Sequence, residues 1–328
     1  MLVLNAGEVM RLLDIQSCIR EVENAFRARG EGRRSTSAVV GLELEGGGLH
    51  AKLGALDLAR RYAAAKINAN FPDNPAQRGL PTVQGVVVLF DASSGVPLAC
   101  MDSGPITAIR TAAATAVAAR YLALPKASSV TFIGCGVQAR AHISALAHVR
   151  PIRHVVAFDS NPGAAEKFAE EIKASRDYEV RVSASAGDAA RASDIVVTST
   201  PSRRAFLDVG DVKPGTFIAA VGADNEHKQE ISPALLRTAA VVVDDLAQCS
   251  RIGDLHHALE SGVMLESDVR ASLDQIVAGR VRGRLDDDEI IVFDSTGVAI
   301  EDVAAAALVY ERAEIMDTRD FGSASVSR

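Results

Sequence analysis

The segment Thr131-Phe-Ile-Gly134-Cys-Gly136-Val-Gln-Ala139 sets the tightest limit on what this chain can fold into. A β-rich run, Val130–Ile133, ends in glycine, and a helix-forming stretch begins at once, giving the G-x-G-x-x-A form of a βα turn. The first glycine permits the tight turn, and the second lets backbone N–H groups approach a pyrophosphate. The third small residue lets helix and strand pack closely, with the helix N-terminus facing the negative charge. Glycine also favours a purely structural βα turn, so the next strand has to separate the two readings. His154-Val-Val-Ala-Phe-Asp159 ends in an acid 25 positions after Gly134, against the usual ~20. An aspartate there accepts hydrogen bonds from both ribose hydroxyls and repels a 2′-phosphate, and Ser160 and Asn161 offer no cation to offset that. The expectation is a dinucleotide site at Gly134, Gly136 and Asp159 that takes NAD rather than NADP.

Around this turn short β-rich runs alternate with helical segments. Val130–Ile133, Val155–Phe158, Val180–Val182, Ile195–Thr198, Phe217–Val221, Val241–Val243 and Ile290–Phe293 read as strands, with Ala139–His148 and Ala164–Ala174 among the helices between them. That alternation predicts an α/β protein with a Rossmann-type doubly wound parallel sheet. The first third has a different texture. Asn5 and Glu8 suit a capping box, and Asp14 caps a helix whose apolar residues Ile15, Cys18, Ile19, Val22, Ala25 and Phe26 recur at helical spacing. Strand-like Val39–Leu44 and Leu49–Leu53 flank Gly46-Gly47-Gly48, a hairpin signal. Tyr62–Phe71, Val83–Phe90 and Pro97–Met101 follow as strands, then an alanine-rich helix from Pro105 to about Leu124. The domain expectation is a smaller α+β domain over 1–120, completed by a last helix over 299–320. A dinucleotide-binding domain occupies 121–298, with a disordered tail at 321–328.

Composition narrows the functions available. A net charge of -7 and 4% aromatic residues without tryptophan argue against a nucleic-acid footprint or a base-stacking platform. Cys18, Cys100, Cys135 and Cys249 are scattered, with no C-x-x-C pair and no histidine cluster at metal spacing. Reduced thiols and no metal are therefore expected. No run reaches the ~18 apolar residues of a membrane span, and the opening segment carries no basic targeting region, so the expected location is cytoplasmic, with a small-molecule partner.

One polar set in the first third fits a structural role poorly. Strand alternation puts Lys66, Asn68 and Asn70 on one face of the Tyr62–Phe71 run, and His50 and Lys52 on one face of its neighbour. Solvated faces are the bland account of both. Arg110 lies in the first turns of the alanine-rich helix, where a cation opposes the helix dipole, which is more understandable if an anion sits opposite it.

Several stretches resemble the ornithine cyclodeaminase and mu-crystallin family. They are Lys66-Ile-Asn-Ala-Asn-Phe-Pro-Asp-Asn74, Gly79-Leu-Pro-Thr82, Gln84-Gly85, Met101-Asp102, Ile106-Thr-Ala-Ile-Arg110-Thr-Ala-Ala113 and Gly134-Cys-Gly136. Val221-Gly222-Ala223-Asp224, Lys228-Gln-Glu230, Asp244-Asp245 and Asp294-Ser-Thr-Gly297 continue the series. They run in family order over nearly the whole chain. The resemblance implies a homodimer whose first domain is the substrate and dimerisation domain. It also implies NAD(P)-linked chemistry at the Cα of an amino acid or its imine. By the same resemblance Lys66 and Arg110 hold the α-carboxylate, and Asp224 is the acid/base at the substrate nitrogen, so that Asp224 and Lys66 form the catalytic pair. Val137, Gln138, Ser199, Thr200, Val221 and Thr111 join Gly134, Gly136 and Asp159 at the cofactor.

There is one departure. Many relatives carry Pro-Pro-Arg ahead of the hairpin, its Arg binding the carboxylate, where this chain reads Arg33-Arg34-Ser-Thr-Ser37. His50 and Lys52, where relatives often have Met-Pro, either supply the missing cation or bind a second substrate acid. Three outcomes share such a site: an amino-acid dehydrogenase or imine reductase with net redox change, a cyclodeaminase that returns the hydride and expels ammonia, and a ligand-binding protein in the manner of mu-crystallin. The departure favours net redox over ornithine as substrate.

Overall fold

The computed structural model describes residues 1–57 and 59–322, so the expected tail lies mostly outside the described residues. The chain divides into two compact units, Met1–Arg110 with Val298–Arg328, and Thr111–Gly297. The expected boundary at 120 is therefore corrected to Arg110. Helix Ser103–Leu122 runs unbroken through that point, so no turn residue marks it in the sequence.

The first unit is built on a six-stranded sheet of β1 (Leu2–Leu4), β2 (Ser35–Leu44), β3 (Gly47–Asp57), β4 (Arg61–Asn70), β5 (Val83–Asp91) and β6 (Pro97–Asp102). Their order is β1-β6-β5-β4-β3-β2, antiparallel except for the β1–β6 pair. The short β1 was not legible as a strand. Asn5 makes the capping box with Glu8, and Asp14 caps Ile15–Gly30 through the Ser17 N–H. Only Glu45 and Gly46 form the hairpin loop, because Leu44 pairs with Gly47. Gly47 lies within β3, where a Cβ would strike the Asn70 carbonyl and the Phe71 ring.

The last helix, Ala299–Gly322, packs on one face of this sheet. A Cβ on Gly54 would come within 2.7 Å of Ala299 Cβ, and Tyr62 meets Tyr310 edge-on at 6.5 Å while donating to Glu311 at 2.9 Å. That contact inverts the solvated-face expectation for β4. Tyr62, Ala64 and Lys66 are buried on the helix side, whereas Ile67, on the other side, is 44% exposed.

The second unit holds an eight-stranded, all-parallel sheet of β7 (Ser129–Ile133), β8 (His154–Phe158), β9 (Glu179–Val182), β10 (Ile195–Thr198), β12 (Phe217–Ala220), β14 (Ala240–Val243), β15 (Ala271–Ser272) and β16 (Ile291–Asp294). The remaining strands, β11 (Arg203–Leu207) and β13 (Gln229–Ile231), pair with each other. The order β15-β14-β16-β12-β10-β7-β8-β9 reverses direction between β7 and β10. Crevices for ligands open outside the carboxyl ends of strands at such a reversal, and Gly134 follows β7 there. The central strands are buried runs of Val, Ile, Phe and Ala, as a sheet covered on both faces requires. Among the described residues no helix is long and apolar enough to cross a membrane, and the cysteines are free.

Candidate active site

In the second unit the βα turn has the geometry its sequence requires. Gly134 has φ of 92°, and a Cβ there would meet the Ser199 carbonyl oxygen at 2.7 Å, so only glycine fits. Gly136 is the N-cap of helix Val137–Leu146, and a Cβ added to it meets open space. The first amides of that helix have no acceptor within the helix, and they point where a pyrophosphate would lie. Asp159, at the end of β8, accepts from the Cys135 N–H at 2.8 Å and from the Asn161 N–H at 2.9 Å. The acid thus ties the strand end to the glycine turn and keeps lone pairs for a ribose. Ser199, Thr200 and Val221 follow β10 and β12, the neighbouring strand ends, and the Ser199 N–H bonds the Ile133 carbonyl at 2.9 Å. Thr111 is buried in the long helix. These residues suit a dinucleotide: an open cradle, a helix N-terminus and an acid beside them.

Asp224 stands 46% exposed in the loop after β12, its Oδ1 2.7 Å from Lys228 Nζ. What holds this loop was not read from the sequence. Glu230, fully buried, accepts from the Gly222 N–H at 2.8 Å, the Thr198 hydroxyl at 2.6 Å, and both the N–H and hydroxyl of Thr200 at 2.7 Å. A Cβ on Gly222 would collide with that carboxylate at 2.4 Å. Asp254 in turn accepts from the N–H groups of Glu230 and Ile231, and Asp294 from those of Asp254 and Leu255. Asp244 accepts from Thr296 and Gly297. Burial pushes Glu230 and Asp254 above the usual carboxylate range, and Asp294 up to about 8. Lys228-Gln-Glu230, Asp244-Asp245 and Asp294-Ser-Thr-Gly297 stood out as stretches, but a carboxylate whose partners are amides and hydroxyls distant in the chain leaves no local spacing to detect.

The sequence also gave no histidine cluster. His256, His257 and Glu260 nevertheless bring ligand-capable atoms within 4.8 Å of one another on one short helix. His257 Nε2 is also engaged by the Lys228 carbonyl at 2.9 Å.

The first unit contains a buried ionic cluster. Lys66 Nζ lies 2.8 Å from Asp302 Oδ1, Arg110 Nε lies 2.9 Å from the same oxygen, and Arg110 Nη1 lies 2.6 Å from Glu301 Oε2. Lys66 and Arg110 are only 3% and 4% exposed. The anion expected opposite Arg110 is thus supplied by the first turn of the last helix, where carboxylates are favoured by the helix dipole. Glu301 and Asp302 were missed because Glu301 lies 191 residues from Arg110 and Asp302 236 from Lys66, on a helix read only as completing the first domain. Burial, then the nearby Arg110 and Lys52, bring the Lys66 ammonium down to about 7 in spite of Asp302. Burial alone would raise Asp302, but Arg110 and Lys66 outweigh it and hold the carboxyl low. In the β3–β4 register Lys52 is directly opposite Lys66, and His50 opposite Asn68, so all four share the face that the last helix covers.

A doubly wound sheet with a glycine cradle at its reversal point defines a dinucleotide-binding protein of the Rossmann class. The family profile of the ornithine cyclodeaminases and mu-crystallin matches residues 1–316. The chain belongs to the ornithine cyclodeaminase/mu-crystallin family. It is 40% identical to the alanine dehydrogenase of Archaeoglobus fulgidus over 312 residues, 95% of each chain. Among solved structures it matches an archaeal alanine dehydrogenase dimer with bound NAD (TM-score 0.91, 40% identity, 97% of each chain). It also matches the Thermococcus litoralis Δ1-pyrroline-2-carboxylate reductase in complex with NADH and L-proline (TM-score 0.92, 33% identity, 97% of this chain and 98% of that one).

Proposed function

We propose that this chain is an NAD-dependent oxidoreductase acting at the Cα of a small amino acid or its imine. The observation that carries the reading is the pair of buried cations, Lys66 and Arg110, gathered on one sheet face. Desolvating two cations in one place costs several kcal/mol per ion; Glu301 and Asp302 offset part of it, and a ligand carboxylate would be held by the same two cations. The named relatives support the same reading: one is an alanine dehydrogenase, and another binds NADH together with an amino acid.

In this reading Gly134, Gly136, Val137, Gln138, Asp159, Ser199, Thr200, Val221 and Thr111 hold NAD, which when bound takes or supplies the hydride at Cα. Lys66 and Arg110 hold the α-carboxylate and so fix Cα, a gain that is largely orientational. Asp224 gives or takes the proton at the substrate nitrogen. Its half-exposed carboxylate, already paired with Lys228, is reachable by a ligand. An acid/base group so placed contributes about 10²–10⁴-fold. Asp224→Asn is expected to keep NADH affinity and lose most turnover; retained turnover removes Asp224 from the mechanism. Absorbance of NADH with a panel of amino acids and of 2-oxo acids plus ammonia, beside ammonia and proline assays, separates net redox from cyclodeamination.

A homodimer completes the reading. The sheet face away from the last helix exposes Val40, Leu42, Leu53, Ile67 and Val86, which the strand register places side by side on β2, β3, β4 and β5. An apolar face of that breadth favours a second copy over water. Sedimentation of the wild type against Ile67→Glu tests it, a dimer and a monomer being the expected pair of results.

A further inference from the structure

The helix Asp254–Glu260 carries a donor set that the proposed reaction does not use. His256 and Glu260 stand four positions apart and so share one face of the helix, with His256 Nε2 3.7 Å from Glu260 Oε2. The His256 and His257 rings are tilted at 58° with centroids 5.2 Å apart. Ligand-capable atoms of all three residues lie within 4.8 Å of one another. Ligands of a tetrahedral zinc ion, each about 2.0–2.2 Å from the metal, are about 3.4 Å from one another. The His256–Glu260 pair is already near that spacing.

The tautomers suit a metal. A carbonyl oxygen only accepts, so a ring nitrogen that bonds one carries the proton. His256 Nδ1 bonds the Ser250 carbonyl at 3.3 Å, and His257 Nε2 bonds the Lys228 carbonyl at 2.9 Å. In the neutral rings the lone pairs are thereby left on His256 Nε2 and His257 Nδ1. One nitrogen tied to a backbone carbonyl and the other on the ion is how metal-binding histidines are commonly held. The His256 nitrogen so freed is the one that faces Glu260. An ion pair between His256 and Glu260 is the simpler account, but it requires a protonated ring and gives His257 no part. Both rings are partly buried and Glu260 is exposed, so an ion reaches the trio from solvent.

The helix is also tied to the segment that carries Asp224. Lys228, whose carbonyl bonds His257, holds Asp224 Oδ1 with its Nζ at 2.7 Å. Asp254, at the start of the helix, accepts from the amides of Glu230 and Ile231. A cation on His257 Nδ1 makes the Nε2 proton a stronger donor to the Lys228 carbonyl, as charge assistance does for any hydrogen bond.

We infer that His256 Nε2, His257 Nδ1 and the Glu260 carboxylate form a site for a borderline divalent cation, and that filling it secures segment 224–230. Two imidazoles and one carboxylate select Zn²⁺ over Mg²⁺, which prefers oxygen ligands alone. Neither half of the inference depends on the function proposed above.

Calorimetric titration of the chelator-treated protein with Zn²⁺ and with Mg²⁺, without nucleotide, compares the wild type with His256→Ala and Glu260→Gln. Both substitutions leave the His257–Lys228 bond in place. Hydrogen exchange at the amides of 224–230, with and without Zn²⁺, is the second readout. Wild type is expected to take one Zn²⁺ per chain and to prefer it to Mg²⁺. Each variant should bind Zn²⁺ about 10-fold more weakly or worse, the loss that even an outer partner of a metal ligand causes. Zn²⁺ should slow exchange in the wild type and not in His256→Ala. Zn²⁺ affinity unchanged in both variants overturns the site, because the ion is then held elsewhere, and so does Mg²⁺ binding as tight as Zn²⁺. Trio-dependent binding that leaves exchange unchanged overturns the hold on segment 224–230.

Discussion

Asp302 Oδ1 lies 2.8 Å from Lys66 Nζ and 2.9 Å from Arg110 Nε, so one buried oxygen serves two cations from separate elements of the same unit. The last helix is therefore bound to the sheet by charge as well as by the packing of Tyr310 on Tyr62. Glu301 completes the arrangement at 2.6 Å from Arg110 Nη1.

Asp302→Asn should leave Lys66 and Arg110 short of an anion in a site where neither can reach water. Breaking a buried pair by removing one partner costs about 3–5 kcal/mol. Urea unfolding at pH 7 is the measurement, and a loss below about 1 kcal/mol would mean that water or a rearranged Glu301 replaces the carboxylate. The same variant should bind a carboxylate ligand no more weakly than wild type, since the anion removed competes for the same cations.

The Lys66 ammonium, brought down to about 7 by burial and by Arg110 and Lys52, gives a second prediction. A carboxylate is held by the charged form, so kcat/KM, which reports the free enzyme, should fall as pH rises through about 7. Lys66→Arg keeps its charge and should lose that limb. Folding stability has the opposite slope. A lysine whose folded value lies below its unfolded one contributes stability that is present above 10.5 and is lost as pH falls towards 7. An unchanged alkaline limb in Lys66→Arg assigns the limb to another group.

The parallel sheet was readable in the sequence because most of its strands are short apolar runs closed by a turn, whereas β15, only Ala271–Ser272, left no such run. Gly134 and Asp159 were readable because a backbone constraint and a strand end fix their positions. Arg110 was legible as a cation set against the helix dipole, whereas Lys66 was legible as a site residue only through the family stretches. Alternation alone assigned Lys66 to solvent, since a period of two says which residues share a face and not which face is covered. The covering helix comes from the other end of the unit, and so do Glu301 and Asp302. Glu230, Asp254 and Asp294 were out of reach for a related reason: their partners are amides and hydroxyls of loops, a strand and a helix start that adjoin only once the unit is folded.

Asp159 offers a third prediction, on the cofactor. Its carboxylate sits at the end of β8, 2.8 Å from the Cys135 amide, where it would repel a 2′-phosphate. Asp159→Ser should weaken NADH binding and narrow the preference over NADPH by about 10-fold or more, the effect of one unfavourable charge contact of ~1.4 kcal/mol. Fluorescence titration of both nucleotides measures it. Tighter NADPH than NADH binding in the wild type would contradict the role given to Asp159.

The buried acids of the second unit should make its stability fall on the alkaline side. Burial, with the charge of Asp244 and Glu230 nearby, pushes Asp294 up to about 8 although two backbone amides favour its ionised form. An acid whose folded value is raised above the unfolded 3.8 binds its proton in the folded state while the unfolded chain has released it. Its stabilising contribution is fully present below 3.8 and is lost as pH rises through about 8. Between 7 and 8 this slope opposes that of Lys66, so the wild-type profile alone cannot assign either. Asp294→Asn removes the acid while keeping one acceptor for the amides of Asp254 and Leu255. Its urea midpoint should therefore fall less than the wild type's between pH 6 and 9, whereas Lys66→Met should remove the rise. Equal slopes in Asp294→Asn and wild type would mean that the proton resides on Asp254 or Glu230, which are bound to Asp294 through the same run of amides.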